Sequence, residues 1–159
     1  MNGITRIGLA ALGSLVVASA AMSQGKPPPT PQEAAQAAVL TRQGLFKVQS
    51  FAFGPVGAML RGGPFDAAAA QKAAVRVQAT AGMISDVFAK DTHTFQVPTK
   101  AREGIWTNKS DFDGKASDLV KAAADLETAA KGGDKDMTLA AARAVGKACS
   151  ACHDQFRDN

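Results

Sequence analysis

Apolar and small residues recur at three- and four-residue spacing in four stretches of the chain, and no stretch alternates apolar with polar at the two-residue period of a strand. The first stretch starts after a proline-rich lead, Pro27-Pro28-Pro29-Thr30-Pro31. Thr30 can cap, Pro31 suits the first helical position and Glu33 stands where a capping box needs it. A helix is expected from there to about Phe53, where Gly54-Pro55 bends or ends it before a short continuation to Leu60. Gly62-Gly63-Pro64 is a firm break. Asp66 can cap a second helix over about Ala67 to Ala89, with Ala70, Ala73, Val77, Ala81, Ile84 and Phe88 along one face. The segment from Lys90 to about Asn108 has no periodicity and is the longest connection. A third helix, about Ser110 to Ala130, carries Phe112, Ala116, Leu119, Ala123, Leu126 and Ala130 on one face and stops at Gly132-Gly133. The fourth, about Asp136 to Arg157, carries Leu139, Ala142, Gly146, Cys149, His153 and Phe156. These elements predict an all-α protein, an antiparallel four-helix bundle.

Ahead of the proline-rich lead, residues 1–23 form a different kind of segment. Arg6 is followed by an apolar run from Ile7 through Val17 and by small residues, with an exit after Ala20 or Ser23. Charge, short apolar stretch and small-residue exit make up a cleavable secretory signal, and the run is short for a membrane span. The chain therefore divides into a signal at 1–23 and one helical domain at 24–159, exported to the periplasm and free of the membrane after cleavage. The 159 residues include 18 Lys and Arg against 14 Asp and Glu, a net charge of +4 that is spread along the chain. Without a clustered phosphate footprint, nucleic acid is not an expected partner. The alanine-rich faces let helices approach closely but bury little apolar area, so something further is expected to fill the interior.

The chemistry is concentrated at the C-terminus. Cys149-Ser150-Ala151-Cys152-His153 is a C-x-x-C-H run, the attachment sequence for c-type haem, in which two thiols reach the porphyrin vinyl groups and the adjacent imidazole reaches iron. On a helix, Cys152 stands about 60° to one side of Cys149 and His153 about 40° to the other, so all three share one interior-facing wedge. Other readings stay open. Zinc would need further ligands, and the remaining candidate is the distant His93. A thioredoxin-like pair would follow a strand. A plain disulfide is compatible with export but strained within a continuous helix.

The chain resembles cytochrome c′, the class II c-type cytochromes. The residues that carry the resemblance are Thr41-Arg42-Gln43-Gly44-Leu45-Phe46, Gly62-Gly63-Pro64-Phe65-Asp66, Ile105-Trp106 and the run from Ala144 through Cys149, Cys152 and His153 to Arg157. The resemblance spans essentially the whole domain. It implies a left-handed bundle, a homodimer packed through the first two helices, and one covalent haem c whose high-spin iron has His153 as its only axial protein ligand. It also implies binding of NO and CO, redox partner proteins, and roles in electron transfer and NO scavenging rather than substrate turnover. By the same resemblance Arg42 pairs with a haem propionate, Arg157 lies near the proximal imidazole, and Phe46 takes a position where many members place Met or Leu over the distal face.

The residues themselves add to this. Arg157 would lie beside His153 on the same helical face, and as a terminal cation it also suits the helix dipole. The phenyl ring of Phe46 has no lone pair to give iron, which favours a five-coordinate centre open to small neutral ligands and disfavours O₂, whose binding a distal donor assists. Phe46 is equally compatible with plain core packing. A sixth ligand could in principle come from Met59, Met83 or His93, whereas Met137 sits about 24 Å from His153 along the same helix. The alternatives are thus a six-coordinate, low-spin electron carrier of the same fold, and a haem-free helical interaction protein whose C-x-x-C is a disulfide.

Overall fold

The computed structural model describes residues 27–158, so the leader read at 1–23 lies outside the described residues. Helix α1 spans Pro31–Leu60 and opens on the expected capping box. Thr30 Oγ1 accepts the Glu33 backbone N–H at 3.3 Å, and the Glu33 carboxylate accepts the Thr30 backbone N–H at 2.8 Å. Those bonds hold the Glu33 carboxyl below its ordinary pKa. The helix does not end or break at Gly54-Pro55 but runs through it to Leu60. Gly54 has no Cβ for the proline ring to strike, and the space beside it is open. The carbonyl one turn before Pro55, at Phe51, loses its partner on the helix face where Phe51 is 77% exposed, so water can replace the missing N–H.

Past Leu60 the chain closes in a Schellman turn: Gly63 N–H donates to Ala58 O at 3.0 Å and Gly62 N–H to Met59 O at 3.1 Å. Gly62 takes φ +91°, and a Cβ on Gly63 would stand 2.9 Å from the Ala58 carbonyl oxygen. Two different constraints therefore demand the glycine pair. Helix α2, Ala67–Gly82, follows with Asp66 accepting the Ala69 N–H at 2.9 Å. The single helix expected to Ala89 is instead divided at Met83, and α3, Ile84–Val87, is one further turn. Thr80 Oγ1 donates to the Arg76 and Val77 carbonyls, and the Met83 N–H turns to Thr80 O. A β-branched residue that competes for backbone carbonyls, followed by Gly82, loosens the helix there.

The long connection contains one turn, α4 at Gly104–Thr107, before α5 at Lys109–Lys131. The buried residues of α5 are the six the periodicity selects. Helix α6 spans Lys135–Phe156, with Asp134 accepting the Met137 N–H at 2.8 Å. Its buried face is Thr138, Ala142, Val145 and Phe156, turned away from the expected Leu139 and Gly146, which are half-buried. It ends one residue early. Arg157 is extended, at φ −130° and ψ 135°, and pairs with Ala101 in an antiparallel bridge.

The four long helices α1, α2, α5 and α6 form the bundle, with short turns making α1 and α2, and α5 and α6, antiparallel neighbours. Helix α2 lies closely against α5 because both meet through small residues, Ala70, Ala73, Ala74 and Ala81 facing Ala116, Ala123 and Ala130. Helices α1 and α6 touch only over a short stretch. Phe46, Phe88, Phe112 and Phe156 run as a chain of rings from α1 to α6, with successive centroids 6.2, 4.9 and 5.3 Å apart. Beneath the long connection, Ala35 and Val39 of α1 make a second small core with Val97.

Gly62→Ala should destabilise the fold by about 1–2 kcal/mol, the usual cost of a left-handed side-chain residue. Urea unfolding with an unchanged midpoint would show that the α1 turn does not need a glycine at that position.

Candidate functional site

The gap between α1 and α6 is a cavity of about 580 Å³, within the range of small-molecule and cofactor sites. All three chemical residues of the α6 motif line it. Cys149 and Cys152 are half-buried and unpaired, and His153 stands at the mouth, more exposed than an interior-facing wedge predicts. The opposite wall is α1, which contributes Arg42, Phe46, Gln49 and Phe53 at successive turns. Val77, Ile84, Leu119 and Phe156 make the apolar floor, and Lys47, Lys100, Lys115 and Arg157 give the rim a positive charge.

The electrostatics of the α6 wall follow from this partial burial. Desolvation raises the pKa of both thiols, and for Cys152 the neighbouring Cys149 adds to the rise. These are neutral thiols at pH 7, unlike the activated thiolate of a redox pair. Desolvation, and after it the Arg157 charge, lowers the His153 pKa, so its imidazole is neutral and keeps a lone pair for a metal. Arg157 lines the cavity with His153, and it reaches there from an extended segment and not from the helical face. Its backbone N–H still donates to His153 O at 3.0 Å.

Arg102 is a residue the sequence reading missed. Its Nη1 donates to the Asp154 and Gln155 carbonyls at 2.9 and 3.2 Å, and its Nε donates to Asp158 at 2.8 Å. A cation is thereby placed on the open carbonyl end of α6, fixing the turn that carries His153. Nothing local in Lys100-Ala101-Arg102 signals this, because the contact is made across the fold.

Arg42 is buried, only 3% exposed, and heavily engaged. Its Nε donates to Val87 O at 2.8 Å, Nη1 to Thr92 Oγ1 at 2.7 Å and Nη2 to Lys90 O at 2.5 Å. The guanidinium also lies over Phe88 and Trp106, at 4.6 and 5.3 Å from the ring centroids. Burial lowers its pKa, with Asp91 opposing, but guanidinium remains charged. Three of its five N–H groups are used on the 87–92 segment, which leaves two for an occupant of the cavity it lines. Phe46 is half-buried, packs on Phe88 and lines the cavity.

The candidates for a further iron ligand are all elsewhere. Met59 is buried in the core, Met83 and Met137 are 50% and 65% exposed, and none of the three lines the cavity. His93 also lies outside it; its Nδ1 is bonded to Asp91 at 2.8 Å, which raises its pKa. Among the described residues no group of three or more His, Cys, Asp or Glu could hold a metal ion by itself.

A covalent haem fits this donor set. Two free thiols and a neutral imidazole stand on one wall, apolar side chains form the floor and far wall, and cations at the rim match carboxylates. Fold and cavity define the class of helical-bundle c-type cytochromes. The cytochrome c′ family model matches residues 17–157, a span that reaches back into the segment read as leader. Cytochrome c′ of Cereibacter sphaeroides is 38% identical over 126 residues, covering 77% of this chain and 84% of the relative. The crystal structure of cytochrome c′ from Rubrivivax gelatinosus aligns with a TM-score of 0.70 at 30% identity, covering 78% of this chain and 97% of that one. A nitric oxide complex of a point mutant of cytochrome c′ from Alcaligenes xylosoxidans aligns with a TM-score of 0.69 at 28% identity, covering 79% and 97%. The chain belongs to the cytochrome c′ family. It is a periplasmic haem c protein, an electron carrier and not an enzyme.

In protein prepared without haem, iodoacetamide should alkylate Cys149 and Cys152 slowly at neutral pH and faster only as pH passes above the ordinary thiol range. Rapid alkylation at pH 7 would mean that a thiolate is stabilised there.

Proposed function

We propose that Cys149 and Cys152 carry the two thioether links, that His153 is the single axial protein ligand, and that the α1 wall faces the open side of the iron. The observation that carries this reading is the placement of all three α6 side chains on a cavity whose α1 wall has no His, Met or Cys. The haem, when attached, supplies an iron that exchanges one electron and binds small gases. The chain's own residues do the rest. His153 presents a neutral nitrogen, held by the turn that Arg102 caps. Phe46 closes the opposite side with hydrocarbon, so a guest must displace or slip past a ring packed on Phe88. Arg42 has two N–H groups for a propionate, and Lys47, Lys100 and Lys115 give the rim the charge that favours carboxylates. The nitric oxide complexes of the Alcaligenes relative support NO as a guest here, with CO of similar size and polarity.

Export through a signal at 1–23 and a redox partner protein belong to the same reading, as does assembly with a second copy. Leu40, Val48 and Phe51 are 56%, 56% and 77% exposed, and with Gly44 they form a stripe on the face of α1 turned away from the cavity. Val75 of α2 is 46% exposed as well. An exposed apolar stripe along α1 suits an isologous contact in which each α1 packs on its copy.

Coexpression with a cytochrome maturation system should add the mass of one haem and give a high-spin reduced spectrum. His153→Ala should change that spectrum while the covalent mass persists, and Phe46→Met should shift part of the iron to six-coordinate or alter CO binding strongly. A colourless product, or a low-spin reduced spectrum in the unmutated protein, would refute the assignment. Sedimentation should give a dimer that Phe51→Glu converts to monomer; a monomeric parent protein would remove the α1 stripe as an interface.

A further inference from the structure

Charge that is spread along the sequence is gathered by the fold. Residues 27–158 hold sixteen Lys and Arg against fourteen Asp and Glu; five of those cations line the cavity and none of the carboxylates does. The other described residues are therefore net acidic, with eleven cations against fourteen carboxylates, and the cavity mouth is the positive pole. Lys47, Lys100 and Arg157 are exposed there and Lys115 is half-buried. The pairing of the lysines differs as well. On α5, away from the mouth, Lys109, Lys121 and Lys131 each meet a carboxylate four residues away, at 2.5, 2.8 and 2.6 Å. At the mouth Lys115 is 4.0 Å from Asp111, and Arg157 shares a surface pocket with Asp154 and with Asp158, which Arg102 already holds. Among the described residues Lys47 and Lys100 make no ion pair at all.

The two carboxylates of a haem are fewer than the five cations, so the mouth stays positive when the cavity is filled. It is also where α1 and α6 part, and a group held between them comes closest to another molecule there. An electron carrier meets its partner at short range, and charge at the meeting point steers and orients the encounter. We propose that the mouth, centred on Lys47 and Lys100, is the docking face for the redox partner, and that this partner is a protein presenting a cluster of Asp and Glu around its own electron-transfer group. The proposal rests on the haem reading above and gives the partner a charge and a place. One electron crosses the contact, oxidising ferrous iron to ferric as the partner's centre is reduced, or the reverse, with no bond made or broken. The acidic remainder of the chain disfavours the same partner elsewhere, so attraction and repulsion select one face.

The test uses the mature holoprotein and two small oxidants of opposite charge, ferricyanide and tris(phenanthroline)cobalt(III). Raising the ionic strength from about 10 to about 300 mM should slow oxidation of the reduced protein by ferricyanide roughly tenfold and speed oxidation by the cobalt complex, since salt screens an attraction in one case and a repulsion in the other. Lys47→Glu combined with Lys100→Glu should lower the ratio of the ferricyanide rate to the cobalt rate roughly tenfold or more at low salt, a ratio that cancels any change in the iron itself. Lys135→Glu, at the far end of α6, should leave the ratio near its parent value. Polyglutamate, as a stand-in for the acidic partner, should slow the ferricyanide reaction of the parent protein and not that of the double variant. Equal salt dependence for the two oxidants, or a response to Lys135→Glu as large as to the double change, overturns the proposal and leaves the haem reading intact. Capture by phosphatidylglycerol vesicles with no effect of polyglutamate overturns it too, because the mouth would then face an anionic membrane. A colourless parent protein would overturn both readings together.

Discussion

One buried guanidinium joins the first helix to the irregular segment that would otherwise be free to collapse into the bundle. Arg42 reaches from α1 to three oxygens of the 87–92 segment while its flat face rests on Phe88 and Trp106. Trp106 is fixed in turn by its indole N–H, which donates to Phe88 O at 3.0 Å. Charged hydrogen bonds of this kind are worth more than neutral ones, and burial raises the penalty for losing any of them. The end of α3, the single turn α4 and the start of the long connection are therefore registered against α1 by one side chain. That register sets the upper boundary of the cavity and places Phe88 behind Phe46.

The size of the cavity follows from unequal packing. Alanines on α2 and α5 draw those two helices together and give a dense but thin core, while the large side chains on α1 and α6 point into the space between them. A bundle of this length with so many small buried residues has little apolar area to spare. A covalently fixed, largely apolar macrocycle between α1 and α6 would supply what the alanines do not. In this architecture the group that performs the chemistry is also part of the core, and attachment and stability are coupled.

Much of this was legible in the residues because it was local. The caps at Thr30 and Asp66, the glycine pair after Leu60, the α5 face and the C-x-x-C-H run each depend on neighbours within a turn or two. What escaped the sequence depends on contacts between distant segments or on competition between near-equal local preferences. Gly54-Pro55 reads as a place where the helix bends or ends, yet Gly54 and an exposed Phe51 carbonyl let it continue to Leu60. The break at Met83 comes from Thr80 turning its hydroxyl onto the backbone, which periodicity cannot register. Arg157 leaves the helix because residues 100–102 compete for it: the Arg102 N–H donates to Phe156 O, and the Asp158 N–H donates to Lys100 O. At the site, Cys149, Cys152 and His153 could be named from spacing alone. Gln49 could not, since a glutamine on a helix is ordinarily a solvated residue and here it is buried on the cavity side of α1.

The two walls of the cavity are therefore under different constraints. On α6 the spacing of thiols and imidazole is dictated by the group they would hold, and the cap from Arg102 leaves the last turn little freedom. On α1 no such spacing constrains the side chains that line the cavity, and contact with α6 is confined to a short stretch. Exchanging Phe46 would change the bulk on that wall without touching the thiols or imidazole of α6. Hydrocarbon on that wall would resist polar guests. On the proposed reading, the affinity for a small gas is then governed from the first helix, by a ring packed on Phe88 that has to move.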